Sequence, residues 1–145
     1  MKPEMIILHH SLTNDSETVS WGAIRDWHTF KKHHWDDIGY HYGIELVGDH
    51  YEIFVGRMMN KKGAHTKDHN HYSIGICFIG DFDKDEVPPE MWKLGVRFVA
   101  SLCETLKIEP IDIYGHRDFA SYKTCPGKKF SLIGFQHQVR DMLNT

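Results

Sequence analysis

Cysteine is scarce in this chain: Cys77, Cys103 and Cys125 are the only three among 145 residues. Three is odd and they lie far apart, which argues against a disulfide framework and suits synthesis in a reducing cytosol. Long apolar runs are also missing. No stretch approaches the roughly 18 residues that span a bilayer, so membrane insertion is not expected. An apolar run of only four residues, at positions 5–8, precedes the pair His9-His10, too short for a signal-peptide core. Cytoplasmic synthesis is therefore expected, and a target beyond the membrane would need a separate route of export. Charge of one sign is lacking as well. Seventeen Lys and Arg against twenty Asp and Glu give a net charge of −3, without the basic excess that holds a phosphate backbone, so no nucleic acid is expected as partner. Repeats, low-complexity tracts and linkers are absent. A single domain over 1–145 is expected, long enough to bury roughly two thirds of its unfolded surface.

What the chain has in excess is histidine, at twelve residues, so its surface field changes sign near or below the ordinary His pKa of about 6.5. The apolar run at 5–8 reads as a buried strand ending at His9. Residues 11–18 are polar and read as a loop. Ser20 can cap a helix over 20–30, with Trp21, Ile24 and Trp27 along one face. Strands at 40–47 and 51–55 flank Gly48-Asp49-His50 and read as a hairpin. The segment 60–71 reads as a polar surface loop. An apolar strand at 73–79 closes on Gly80. Pro88 and Pro89 open a helix with a core stripe from Met91 to Leu106. A short strand at 111–114 leads into Gly115-His116-Arg117-Asp118, and Leu132, Phe135, Val139 and Met142 mark a terminal helix. The class is α/β, a mixed central sheet flanked by helices.

Most histidine pairs, such as His33-His34 and His69 with His71, sit in polar loops and read as solvated side chains. No His-Glu-x-x-His helix and no Cys-x-x-Cys pair is present. A separate constellation is His9 at the end of the first strand, His116 after the last, and Cys125 nine residues later. Two imidazoles and a thiolate can hold one metal and leave a fourth tetrahedral position open, as catalytic zinc requires. A packed His9 with a buried Cys125 is the alternative, and spacing alone does not separate the two.

At these residues the sequence resembles the zinc-dependent N-acetylmuramoyl-L-alanine amidases, a family that includes phage endolysins and peptidoglycan recognition proteins. The matching stretches run in order through Ile7-Leu8-His9-His10-Ser11, Ile24-Arg25-Asp26-Trp27-His28, Asp37-Ile38-Gly39-Tyr40-His41-Tyr42 and Gly63-Ala64-His65-Thr66. They continue with Asn70, Ser73-Ile74-Gly75-Ile76, Gly115-His116-Arg117-Asp118 and Lys123-Thr124-Cys125-Pro126-Gly127. The resemblance implies the amidase and recognition-protein fold, one Zn2+ held by His9, His116 and Cys125, and Tyr40 and Lys123 as catalytic residues. His65 matches a residue of the substrate groove wall. The implied reaction is hydrolysis of the amide between N-acetylmuramic acid and L-alanine in peptidoglycan, with Lys123 stabilising the oxyanion. Tyr40, with an ordinary pKa near 10, would be a poor base.

Three alternatives accompany this expectation. A non-catalytic peptidoglycan-binding module of the same fold generally lacks the ligand at the cysteine position. A cytosolic muropeptide-recycling amidase usually carries aspartate there. A regulator of a polymerase is a third role seen among phage amidases, and nothing in the sequence tests it. Cys125 favours a phage or prophage endolysin acting on the cell wall, expected as a monomer.

Overall fold

The computed structural model describes residues 1–12 and 20–145. The expected loop at 11–18 therefore falls almost wholly outside the described residues. Five strands form one sheet in the order β3-β2-β4-β1-β5. They are β1 (Met5–His10), β2 (Tyr42–Val47), β3 (His50–Val55), β4 (Ser73–Phe78) and β5 (Ile113–Gly115). The expected hairpin is present: β2 and β3 pair antiparallel, with Val47 opposite His50 across a two-residue turn. Its first turn residue is Gly48 at φ 68°, a left-handed conformation that favours glycine. The other pairings, β2 with β4, β4 with β1 and β1 with β5, are parallel.

Strand alternation divides the sheet into two faces. Ile6 and Leu8 of β1, and Ile74, Ile76 and Phe78 of β4, join the larger core. That core is covered by helix α2 (Pro89–Leu106) and helix α3 (Leu132–Leu143). Phe135 is fully buried and meets Phe78 and Phe130 edge-on or tilted. The opposite face carries His9 beside Cys77 and Ile7 beside Gly75. Its smaller apolar cluster is Trp21, Ile38, Cys77 and Ile79. Trp21 begins the short helix α1 (Trp21–Asp26). The buried Glu45 carboxylate accepts from the Trp21 amide at 2.8 Å, and Ser20 caps the Ala23 amide at 3.0 Å. Both satisfy donors that a helix start leaves open.

Three boundaries differ from the sequence expectation. The helix expected over 20–30 is α-helical only to Asp26, and a π-turn covers Trp27–Lys31. Trp27 still donates its amide to the Ala23 carbonyl, so it stays in α-helical register with Ala23 and Ile24, and it is half exposed. The strand expected from position 40 begins at Tyr42, which leaves Tyr40 in the approach to the strand. The 60–71 segment is not wholly a surface loop, since Gly63, His65 and Thr66 are buried.

Phe135→Ala removes a ring from the core on the face away from His9, so it is expected to cost about 3–5 kcal/mol of stability. Denaturant titration should show that loss while activity below the unfolding transition stays intact.

Candidate active-site cleft and metal centre

Parallel pairing sets the site. β1 lies between β4 and β5, so the C-terminal ends of neighbouring strands open on one side of the molecule. That is where parallel sheets hold ligands. His9 stands at the end of β1, and His116 follows β5 in a 3-10 turn (His116–Asp118). Their rings are 4.7 Å apart between centroids. Cys125 comes from the loop that follows. One donor atom from each of His9, His116 and Cys125 lies within 4.8 Å of the other two. A tetrahedral zinc spaces such donors roughly 3.3–3.6 Å apart, so a small tightening would close the set. Among the described residues no other group of three His, Cys, Asp or Glu converges in this way.

The three donors line a cleft of about 510 Å³, within the roughly 300–1,000 Å³ usual for ligand sites. Tyr40 and Lys123 line it too, and so do Leu12, Ala23, Ile24, Trp27 and His28 on an apolar and aromatic wall. Residues 1–128 match the N-acetylmuramoyl-L-alanine amidase family. The chain belongs to this family. It is similar to the endolysin of Enterobacteria phage T3, with 36% identity over 129 residues that cover 85% of this chain and 80% of that protein. Among solved structures, N-acetylmuramoyl-L-alanine amidase LysC from Clostridium intestinale URNW gives a TM-score of 0.84 at 27% identity, covering 97% of this chain and 87% of that one. A Drosophila PGRP-LB mutant in complex with tracheal cytotoxin gives 0.74 at 30% identity, covering 90% and 79%. The protein is thus a peptidoglycan amidase with the α/β fold of amidases and recognition proteins. No helix among the described residues is long and apolar enough to cross a membrane.

Hydrogen bonds behind His9 decide which of its nitrogens the amidase can offer. The Ser73 hydroxyl donates to the His69 carbonyl at 2.6 Å. Its single hydrogen is then used, so at 3.3 Å it accepts from His65 Nε2. A neutral His65 then has a bare Nδ1, which lies 2.9 Å from His9 Nε2 and accepts its N–H. His9 keeps the Nδ1 lone pair for a ligand. Orientation of a ligating imidazole through its other nitrogen is a common device of metal sites. Gly75 makes room for it, because a Cβ there would stand 2.5 Å from the His65 ring. His65 is among the residues that line the cleft and is buried against His9.

Burial sets the protonation states. It holds His9 well below the ordinary imidazole range, helped by His65 and His116. Burial and then Lys123 bring His116 down to about 4; burial and then His41 bring His65 to about 3. Both donor imidazoles are neutral at pH 7 and carry free lone pairs. Burial pushes the Cys125 thiol up to about 12, against the lowering effects of the His10 backbone and Lys123. A metal must displace that proton. The His10 amide, 3.2 Å from Cys125 Sγ, is placed to stabilise the resulting thiolate. Burial, then Cys77 and Cys125, raises the Tyr40 phenol well above 10, and its hydroxyl hydrogen-bonds the Cys77 sulfur. Tyr40 is a neutral donor here and not a base.

Several other side chains have structural work. His10 points away from His9, and its Nδ1 accepts from the Phe82 amide at 3.0 Å. His41 accepts from the Gly75 amide at 3.0 Å and contacts the Lys61 carbonyl at 2.7 Å. Asp118 does not hold the His116 ring; it accepts from the Gly115 amide at 2.9 Å and so fixes the turn that carries His116. The partners of Ser73 and Thr66 have no signal in the sequence, since a lone hydroxyl does not name the group it bonds.

His28, held at about 4 by burial and then His33 and Arg57, titrates in the same direction as His65 and His116. Their folded pKa values lie below the unfolded value of about 6.5, so the unfolded chain takes up protons first. The stability they contribute is complete above about pH 6.5 and is lost as pH falls towards 4 and 3. Chelator-treated protein should melt at progressively lower temperature from pH 7.5 to pH 5; an unchanged melting temperature would contradict buried, neutral imidazoles.

Proposed function

We propose that the chain is a zinc-dependent endolysin-type amidase, in which residues 1–145 act as one catalytic domain, monomeric, on cell-wall peptidoglycan. The observation that carries the reading is the convergence of two neutral imidazoles and one thiol at the floor of a cleft flanked by Lys123 and Tyr40. The donor chemistry fits the metal, since two nitrogens and one sulfur suit zinc and leave an open position for catalysis. His9, His116 and Cys125 would hold it. Bound there, zinc supplies a Lewis acid that polarises the scissile carbonyl and acidifies a water.

The remaining roles belong to the chain's own side chains. Lys123 is exposed on the cleft and brings positive charge to the carbonyl oxygen as it becomes an oxyanion. Tyr40 lines the cleft beside His9, and turning its one hydroxyl proton from the Cys77 sulfur to the substrate amide would let it hold that amide in line. His65 keeps His9 in one tautomer and lines the cleft beside it. Trp27 and Ile24 offer an apolar wall to the substrate. The similarity to phage endolysins supports the intact wall as target, with release into the wall at lysis.

Mass spectrometry of purified peptidoglycan after incubation with the protein tests the whole reading. Free stem peptides with an L-alanine amino terminus are expected, together with about one zinc per chain. Both should be lost on chelation and in Cys125→Ser. Intact muropeptides with the protein retained on the wall would indicate a binding module. Products formed only from released fragments would indicate a recycling amidase.

Lys123→Ala is expected to lower kcat by about a hundredfold or more with a smaller change in KM, because the ammonium acts most on charge that develops in the transition state. Steady-state kinetics on a soluble muropeptide would read it, and an unchanged kcat would remove Lys123 from the chemistry.

A further inference from the structure

The loop that carries Cys125 lies between the 3-10 turn at His116–Asp118 and α3 and contains no regular helix or strand. A metal donor on such a loop needs an external frame, since small displacements of sulfur weaken coordination. One side of the frame is Arg117. Its guanidinium donates to the carbonyls of Gly127 at 2.6 Å and Phe130 at 3.0 Å, and its amide donates to the Cys125 carbonyl at 2.9 Å.

The other side comes from the segment that follows β4, outside the cleft. Asp83 Oδ2 accepts from the Thr124 hydroxyl at 2.7 Å, and Asp83 Oδ1 accepts from the Lys128 amide at 2.9 Å. One carboxylate thus grips the residue before Cys125 and the third residue after it. Thr124 also stands directly between Lys123 and Cys125 in sequence. The neighbouring residue extends the seam: the Lys129 amide donates to the Phe82 carbonyl at 2.8 Å. Gly127, at φ 126°, lies so close that a Cβ would stand 2.5 Å from the Phe82 backbone. The Phe82 amide in turn is held by His10, whose own amide points at Cys125 Sγ. Hydrogen bonds to a carboxylate are stronger than neutral ones, and Asp83 makes two to a single loop.

We propose that Asp83 is the positioning residue of the Cys125 loop, clamping Thr124 and Lys128 so that the donor sulfur and Lys123 stand at fixed places in the cleft. The proposal rests on Cys125 being a metal donor. Asp83 does not line the cleft and touches neither substrate nor metal.

The test is cobalt(II) titration of the metal-free full chain, read by the thiolate-to-cobalt charge-transfer band. Asp83→Ala and Thr124→Val should each weaken cobalt binding about tenfold or more, within the range for outer-shell partners of metal ligands. Thr124→Ser, which keeps the hydroxyl, should bind like the wild type. The double variant should bind no more weakly than Asp83→Ala alone, as expected for two partners of one interaction. Thermal unfolding of the metal-free forms identifies any variant that fails to fold. If Asp83→Ala does so, the Thr124→Val and Thr124→Ser pair decides, and equal affinity in that pair overturns the clamp. Wild-type affinity and band in Asp83→Ala also overturn it. A wild-type protein that binds cobalt with no thiolate band would instead defeat the metal assignment, and the clamp with it.

Discussion

The parallel placement of β1 between β4 and β5 is the constraint on which the site depends. It sets His9 beside Cys77 in register and brings the turn that carries His116 to the same edge. Neither histidine could reach the other in an up-and-down sheet, where consecutive strands end on opposite sides. The strand is buried on both faces, so a one-residue slip would exchange the two sets of side chains and drive His9 into the apolar core. The apolar core therefore fixes the positions of the polar site. The larger cluster under α2 and α3 holds one face of β1, and the other face is left for chemistry.

Behind the three donors the protein builds a layer of fixed dipoles. Ser73, His65 and His9 pass one orientation along a chain of hydrogen bonds, and each member is buried. The low pKa values of these imidazoles and the high value of the Cys125 thiol share one cause, the removal of water. Desolvation raises the free energy of the charged forms of all of them. A cation held by the three side chains, as proposed above, would relieve that condition for the thiolate without charging the histidines.

Much of this was legible in the sequence, for identifiable reasons. The strand ending in His9 and the turn at Gly115-His116 are local patterns, and the family motifs around Tyr40, His65, Lys123 and Cys125 lie in order along the chain. The hairpin followed from Gly48-Asp49 between two apolar runs, and α2 from Pro89 and its apolar stripe. What escaped was everything whose partner is remote and is backbone. For His65 a motif marks presence in the cleft and not the depth at which the ring sits. Gly75, the residue that lets the ring sink beneath His9, gives no such signal. Trp27 keeps the helical spacing expected of it, but spacing alone does not say that its face looks onto the cleft. Arg117 works almost entirely through carbonyl oxygens, which have no letter in a sequence.

The connectivity of β1 bears on how the protein comes into being. Its strand is completed by partners at residues 73–78 and 113–115, and the converging donors come from positions 9, 116 and 125. Contacts so distant in sequence form late, because the intervening chain must first be ordered. During synthesis the first histidine leaves the ribosome long before either companion. A nascent chain therefore carries no assembled centre until Cys125 has emerged and β5 has docked. A hydrolase whose converging side chains span positions 9 to 125 is thus inert for most of its own translation.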